Sequence, residues 1–474
     1  MNIDRSLYID GTWTGPLAGS PIEVSNPADG SVCATVSMGD AADVDRAVQA
    51  ARNAFETYGR SSVDDRVALL EAVIDSYRKY GEELATTLSM EMGAPVMLAR
   101  EAHVPSGLGH FTATVEALKQ FAFDERIGTT RVVHEPIGVC GLITPWNWPL
   151  NQIAAKVAPA LAAGCTMVLK PSEIAPLNAI VFTKALAAAG VPAGVFNLVN
   201  GDGQTVGAAL SRHPDVAMMS FTGSTRAGVE VARTSASTVK RVAQELGGKS
   251  ASIVLDDADL EHVVTGEVLA MYQNSGQSCN AGSRLLVPAE SLSDVAAIAR
   301  KATATVAVGD PSHTATQVGP VVSQQQFDKV QDLIDSAIKE GAQLVVGGLG
   351  RPEGMDRGYY VQPTVFSHVT PEMRIWREEV FGPVLVVTGY TDQDAAIAMS
   401  NDSEYGLSGK VFSDNEDRAL EVARRLRTGM VHINGAPLDN RAPFGGYKQS
   451  GNGREFGAHG LREFLETKSV YMHA

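Results

Sequence analysis

Apolar positions along the chain change period between its ends and its centre. From Asp40, a suitable helix cap, Val44, Val48, Ala51, Phe55 and Tyr58 recur at helical spacing. A second helix is predicted from Asp64 to Tyr80, through Val67, Leu70, Ile74 and Tyr77. Ahead of both, Ile9 to Asn26 reads as short strands around a Pro/Gly turn. In the centre, short β-rich runs (VCGLI at 139–143, TMVLK at 166–170, VFNLV at 195–199, AMMSFT at 217–222) alternate with Ala-rich helical stretches. Such alternation predicts βαβ units around a parallel sheet. After Val242 it restarts with SIVL at 252–255, RLLV at 284–287 and a long helix from Gln324 to Gly341. A second α/β domain is therefore expected, with its outer limit near the loop-rich stretch 434–455. No repeat period or low-complexity tract is visible.

A length of 474 residues suits about three domains of typical size or two large ones. With 44% apolar and 20% charged residues the chain can bury a large core. The 39 Lys+Arg against 54 Asp+Glu give a net charge of -15, which repels polyphosphates and anionic lipid, so nucleic acid is not an expected partner. The longest uncharged run, Pro136 to Ala155, is interrupted by three prolines and by Asn147, Asn151 and Gln152, so no membrane span is expected. The opening MNIDRSLYIDGTW carries Asp4, Arg5 and Asp10 and has no apolar core segment, which argues against a secretory leader. Four cysteines, Cys33, Cys140, Cys165 and Cys279, are too sparse for a disulfide framework and lack metal-ligand spacing. A reducing cytoplasm and no metal are expected.

Cys279 differs from the other three by its surroundings. It sits in NSGQSCNAGSR, a Gly/Ser/Asn-rich turn ahead of the RLLV strand, where glycines allow close backbone approach to a nucleophile. A lone cysteine is more often a small core residue. Glu245, at the end of an apolar run and directly before Gly247-Gly248, could be a partly buried base with a raised pKa, although most such glutamates are solvated. Gly248-Lys249-Ser250 ends like a phosphate-binding P-loop, but the first glycine of that loop should fall at Ala243 and a strand follows where a helix should begin, so the ATPase reading fails. Two glycine turns follow predicted strands. Gly201, Gly203 and Gly207 are one residue out of step with the dinucleotide fingerprint, whereas Gly223-Ser224 opens a helix near Thr225 in a way that suits pyrophosphate or an ordinary connection equally. In PWNWPL at 145–150, two prolines and Trp146 and Trp148 hold Asn147 among rigid walls, as a hydrogen-bond donor to developing negative charge or as a turn cap.

PWNWPL, KPSE at 170–173, FTGST at 221–225, ELGGKS at 245–250, GQSC at 276–279, EEVFGPV at 378–384 and PFGGYKQSGNGRE at 443–455 occur in the order and spacing of the aldehyde dehydrogenase superfamily, which the chain resembles over essentially its whole length. The resemblance implies an α/β fold: a Rossmann-type cofactor domain from 1–118 and 137–246, an α/β catalytic domain at 247–457, and a small β oligomerisation element from 119–136 and 458–474. It implies NAD-dependent oxidation of an aldehyde to a carboxylate, with NADP possible. Cys279 would attack the carbonyl, Asn147 and the Cys279 N–H would form the oxyanion hole, and Glu245 would activate water against the thioester. Lys156 and Glu455 match positions that relay its proton. Lys170 and Glu173 would hold the adenosine ribose, Gly223 and Ser224 the pyrophosphate, and Glu379 and Phe381 the nicotinamide riboside. Thr144, Pro145, Trp146, Gly203, Gly207, Phe221, Leu246 and Gly247 complete the implied cofactor contacts. The Glu173 carboxylate suits free ribose hydroxyls and favours NAD over NADP. Two departures are visible, Ala251 where the family usually has proline and Asn280 after the nucleophile, and neither removes a functional group.

Competing readings are a coenzyme-A-acylating semialdehyde dehydrogenase, which would dispense with Glu245; a cysteine hydrolase, suggested by Gln277; and a non-catalytic dinucleotide sensor, which should have lost Cys279, Asn147 or Glu245. For the substrate, Trp148, Leu438 and Tyr272 near the tunnel favour an aliphatic or aromatic aldehyde. Arg441 on the rim is a candidate for pairing with a carboxylate, or else a solvated or interface arginine. RVVHEPIGV alternates like an edge strand that needs covering, and the resemblance implies a homodimer or homotetramer, with 119–136 forming a hairpin completed by a strand from Thr467 to Met472.

Overall fold

The computed structural model describes residues 2, 3 and 5–473; Asp4, one of the charges set against a secretory leader, lies outside them. The two N-terminal helices form where the periodicity puts them, at Ala41–Tyr58 and Val63–Lys79. Asp40 accepts from Ala42 and Asp43 N–H while the Asp43 side chain accepts from Asp40 N–H, a closed capping box. The second helix starts one residue before Asp64 and is capped by Ser62, whose hydroxyl accepts from Asp65 N–H.

Two sheets organise the rest. The first has eight strands in the order Gly451–Asn452, Arg241–Glu245, Met218–Thr222, Val139–Ile143, Thr166–Lys170, Phe196–Leu198, Leu7–Ile9 and Thr12–Thr14. Its five central strands are parallel, with antiparallel strands at both edges. Val139–Ile143, Thr166–Lys170 and Met218–Thr222 are buried at every position, as expected where helices cover both faces. The chain runs outward from Val139–Ile143 through two parallel neighbours, then crosses back to place Met218–Thr222 on its other side. That reversal is a topological switch point, where open α/β sheets form a crevice beyond the carboxyl ends of their strands.

The second sheet has seven strands: Gln343–Val346, Thr364–Ser367, Val384–Tyr390, Arg284–Pro288, Ala251–Val254, Ser408–Phe412 and Met430–Ile433. The long helix beside it is Gln324–Lys339. Gly451–Asn452, expected with the 247–457 segment, joins the first sheet by pairing with Gln244 and Glu245. The glycine-rich 443–455 loop thus reaches the edge of the first sheet, with Tyr447–Lys448 pairing to Tyr405–Gly406 on the way. A third, antiparallel sheet is formed by Asp124–Ile127, Thr130–Pro136 and Leu465–Val470. Its hairpin starts later than residue 119, because the preceding helix continues to Gln120. Among the described residues, no helix is long and apolar enough to cross a membrane.

Candidate active site

The loop leaving Val139–Ile143 at the switch point carries Thr144 to Trp148. Asn147, 3% exposed, donates from Nδ2 to the Gln277 carbonyl at 3.0 Å, two residues before Cys279. One amide hydrogen is thereby anchored and a second remains on the same nitrogen. Trp148 Nε1 donates to Ser278 Oγ at 2.7 Å, so two side chains of one loop fasten the other. Cys279 lies half-buried in that second loop, packed among Ala155, Leu407, Phe444 and Phe456. Only glycine fits at two places around it. A Cβ on Gly276, at φ 73°, would lie 2.0 Å from the Gly382 carbonyl oxygen, and one on Gly248 would lie 2.4 Å from the carbonyl oxygen of Cys279. The ELGGKS and GQSC segments are thus one packed unit. Burial and the Glu379 and Glu245 carboxylates push the Cys279 thiol up to about 12, while the N–H groups of Cys279 and Asn280 pull the other way.

Glu245 ends the Arg241–Glu245 strand, 4% exposed, and neither carboxylate oxygen has a hydrogen-bond partner. Burial, and then the neighbouring Glu455, raise its pKa well above the carboxylate range; Lys156 opposes both. Lys156 is itself buried and donates to Glu455 Oε1 at 2.5 Å and to Ser220 Oγ at 3.0 Å. Glu245, Lys156, Glu455, Ser220 and Arg454 line one cavity of about 10 Å³. That is about the volume one water needs, and the lining supplies several polar partners for it.

The residues implied for the cofactor gather at the mouth of the same crevice. Thr144 N–H donates to the Lys170 carbonyl at 3.1 Å, and the buried Thr144 Oγ1 has no partner. Pro145 and Trp146 follow half-buried, with Trp146 edge-on to Phe381 at 5.5 Å between ring centroids. Phe381 takes φ 57° and is held by Gln326 Nε2, which donates to its carbonyl at 2.8 Å. Lys170 Nζ donates to Glu173 Oε2 at 2.9 Å, leaving Glu173 the more exposed partner. Ser224 caps the Thr225–Ser235 helix through Ala227 N–H; the other N–H groups of the first turn have no acceptor within the helix. Gly223 is hemmed in by the Phe221 ring. Leu246 N–H donates to Ser450 O at 3.0 Å, and Gly248 N–H donates to Glu379 Oε1 at 2.9 Å, with Glu379 lying against Gly247. Gly207 packs over Ile143 and Lys170, whereas Gly203 is exposed and faces no neighbour. An orphaned buried hydroxyl, a capped helix start and glycines where any Cβ would intrude fit a dinucleotide at this crevice.

A cavity of about 1120 Å³ opens from Cys279 to the surface, walled by Trp148, Asn151, Leu438, Phe444 and Phe456. One substrate-pocket expectation fails, and of the two readings of Arg441 the solvated one holds. Tyr272 is buried away from the cavity and engages Thr303 Oγ1 at 2.9 Å, because its helix turns that ring into the core. Arg441 is exposed and clamped by Asp439, with Nε to Oδ1 at 2.9 Å and Nη2 to Oδ2 at 2.7 Å, outside the cavity wall. Gln277, the hint of a hydrolase, works as a brace: Nε2 donates to Asn274 O at 3.1 Å and Oε1 accepts from Val322 N–H at 2.9 Å. Sequence reading missed Ser220, Phe444, Phe456, Asn274 and His103. Asn274 and Phe444 lie inside quoted segments, whereas nothing near His103 marks it.

Residues 13–470 match the model of the aldehyde dehydrogenase family. A 3-succinoylsemialdehyde-pyridine dehydrogenase from a Pseudomonas species is 56% identical over 467 residues, 98% of each chain. The crystal structure of an aldehyde dehydrogenase C (AldC) variant from Pseudomonas syringae, complexed with NAD+ and octanal, superposes with a TM-score of 0.98 at 49% identity, covering 99% of this chain and 96% of that one. The Mycobacterium tuberculosis aldehyde dehydrogenase complexed with NAD+ gives a TM-score of 0.97 at 39% identity, covering 100% and 98%.

Proposed function

The chain belongs to the aldehyde dehydrogenase family and oxidises aldehydes with NAD, and we propose that Cys279 is the nucleophile, Asn147 the oxyanion donor and Glu245 the general base. The observation that carries this reading is the convergence of a half-buried thiol and an unpartnered buried carboxylate beside a paired Lys156–Glu455.

A thiol held near 12 requires a proton acceptor as its sulfur bonds to the aldehyde carbon. Water in the cavity that opens from Cys279 to the surface can take that proton, and the N–H groups of Cys279 and Asn280 favour the thiolate. The resulting thiohemiacetal carries its oxyanion toward the free hydrogen of Asn147 Nδ2 and the Cys279 N–H. Bound NAD supplies the acceptor for the hydride that leaves this adduct. Water then attacks the Cys279 thioester while Glu245 accepts its proton, the C–S bond breaks, and the acid leaves. Lys156 and Glu455 pass that proton on through the shared cavity.

For the dinucleotide, Lys170 and Glu173 would hold the adenosine ribose, Ser224 and Gly223 the pyrophosphate, and Glu379, Phe381, Trp146 and Thr144 the nicotinamide end. Because Lys170 already serves Glu173, it is not free to neutralise a 2′-phosphate, which supports NAD over NADP. The substrate class is read from the apolar part of the wall, Trp148, Leu438, Phe444 and Phe456, in a cavity that also carries Lys410, His262 and His432: uncharged aliphatic or aryl aldehydes, in line with the octanal and pyridine-bearing semialdehyde named for the two Pseudomonas relatives. We assign the first sheet and its helices (1–118 and 137–246) to cofactor binding and 247–457 to catalysis. The exposed strand Asp124–Ile127, the half-buried Thr130–Pro136 and the largely exposed Leu465–Val470, with exposed Tyr471 and Met472, would join a homodimer or a pair of dimers in the cytoplasm.

Steady-state rates over alkyl, aryl and carboxylated aldehydes test the substrate reading. A preference of about tenfold or more for the uncharged members is expected, and a preference for the carboxylated ones would overturn it.

A further inference from the structure

Asn147 can stabilise an oxyanion only if its amide is held in one orientation, and the groups that hold it lead to a residue on a distant helix. Its Nδ2 donates to Gln277 O at 3.0 Å, while Asn274 Nδ2 donates both to Asn147 O at 2.8 Å and to the same Gln277 O at 3.3 Å. Asn274 is 1% exposed and takes φ 52°, ψ 32°, followed by Ser275 at φ 55° and Gly276 at φ 73°. Three left-handed residues in a row are costly for non-glycine side chains, and the fold accepts them just ahead of the nucleophile. Asn274 faces two carbonyls, which can only accept, so its NH₂ must point at them and its Oδ1 must point the other way. There it meets His103 Nε2 at 3.3 Å. An amide oxygen also only accepts, so His103 must carry its proton on Nε2. The His103 ring is fully buried and stacks on Trp148 with centroids 4.0 Å apart and planes at 18°, and Trp148 in turn bonds Ser278.

We propose that His103 and Asn274 are positioning residues for the oxyanion hole: the neutral imidazole N–H locks the Asn274 amide, and Asn274 ties the Asn147 loop to the Cys279 loop. This rests on Asn147 being the oxyanion donor. Burial holds the His103 pKa down at about 3, so the ring stays a neutral donor throughout the working range. The stack on Trp148 fixes the ring plane, and the Nε2 bond fixes its tautomer. Neither residue touches the reacting atoms.

The test uses the full chain without NAD and two reagents for Cys279. Acylation by p-nitrophenyl acetate develops an oxyanion; alkylation by iodoacetamide does not. His103→Phe keeps the stack and removes the donor, and Asn274→Gly tolerates the left-handed backbone and removes the amide. Acylation is expected to fall about tenfold in His103→Phe and about 10- to 100-fold in Asn274→Gly, with alkylation within about twofold of wild type. His103→Gln, which restores a donor, should recover acylation to within about threefold. Acylation unchanged in Asn274→Gly, or alkylation falling in parallel with it, overturns the proposal. If His103→Phe does not fold, Asn274→Gly with the two reagents decides alone. Asn147→Ala separates the premises: if it acylates at the wild-type rate, the oxyanion reading itself fails, whereas slow Asn147→Ala beside normal Asn274→Gly refutes only the positioning role.

Discussion

Glu245 and Glu455 share one small cavity and are treated in opposite ways. Glu455 is bound by Lys156 at 2.5 Å, so its charge has a fixed partner. Glu245, equally withdrawn from solvent, has no partner on either oxygen, and its pKa rises well above the carboxylate range. An unpaired buried carboxylate is free to exchange a proton at a useful pH, and one bonded to an ammonium beside it gives that proton a way out. The same polypeptide thus builds a paired carboxylate and a base side by side, and the difference lies in one ammonium group. Leaving Glu245 without a partner costs stability and supplies the reactivity that a satisfied carboxylate would lack.

The comparison can be broken in graded steps. Cys279→Ala should abolish aldehyde oxidation, by about 10⁴-fold or more, with NAD affinity retained by fluorescence titration; retained turnover would remove the nucleophile from the account. Glu245→Gln should slow turnover by about 10²- to 10⁴-fold, whereas Glu455→Gln should slow it by about tenfold or less. Equal losses in the two variants would erase the distinction between the base and its paired neighbour. Lys156→Met leaves Glu455 buried without its cation, so a stability loss of about 3–5 kcal/mol in denaturant titrations is expected, together with a shift of the acid limb of kcat to higher pH.

The sign of the pH effect follows from the raised pKa values of Glu245 and Cys279, which keep both protonated until well above the usual carboxylate range. Activity should therefore rise with pH through neutrality. A folded pKa raised above its unfolded value favours folding below the unfolded pKa, near 4.5 for a glutamate, and that contribution is lost as pH climbs through the folded value. Glu245→Gln should accordingly melt about 1–3 °C higher than wild type at pH 8 and with little difference at pH 5. The smallest effect expected is that of Arg441→Ala, whose guanidinium is committed to Asp439 at the surface: relative rates on carboxylated and alkyl aldehydes should stay within about twofold.

Much of this was legible before any coordinates. Val139–Ile143 and Thr166–Lys170 begin and end at the residues their apolar runs suggest, because strands buried on both faces leave no room for ambiguity. Cys279, Glu245 and Asn147 were singled out as candidates by the glycines or prolines beside them and given roles only by the family resemblance; Gly248 against the Cys279 carbonyl is the steric reason for one of those glycines. What periodicity could not give was contact between distant segments. Gly451–Asn452 joins the first sheet by edge pairing that leaves no apolar pattern. Tyr272 was misplaced because direction along a helix depends on packing partners elsewhere in the chain. His103 was invisible for the same reason: it lies 171 residues from Asn274, and a single histidine in a helix carries no signal of what it will face.

The central claim is that Glu245 discharges a thioester that Cys279 carries. Glu245→Gln mixed with NAD and an excess of octanal, then quenched in acid and measured by intact and peptide mass spectrometry, tests it most directly. An NADH burst of about one equivalent per chain, with an octanoyl mass on the peptide containing Cys279, is the predicted result. Linear NADH release without a burst, and Cys279 recovered unmodified during turnover, would contradict it.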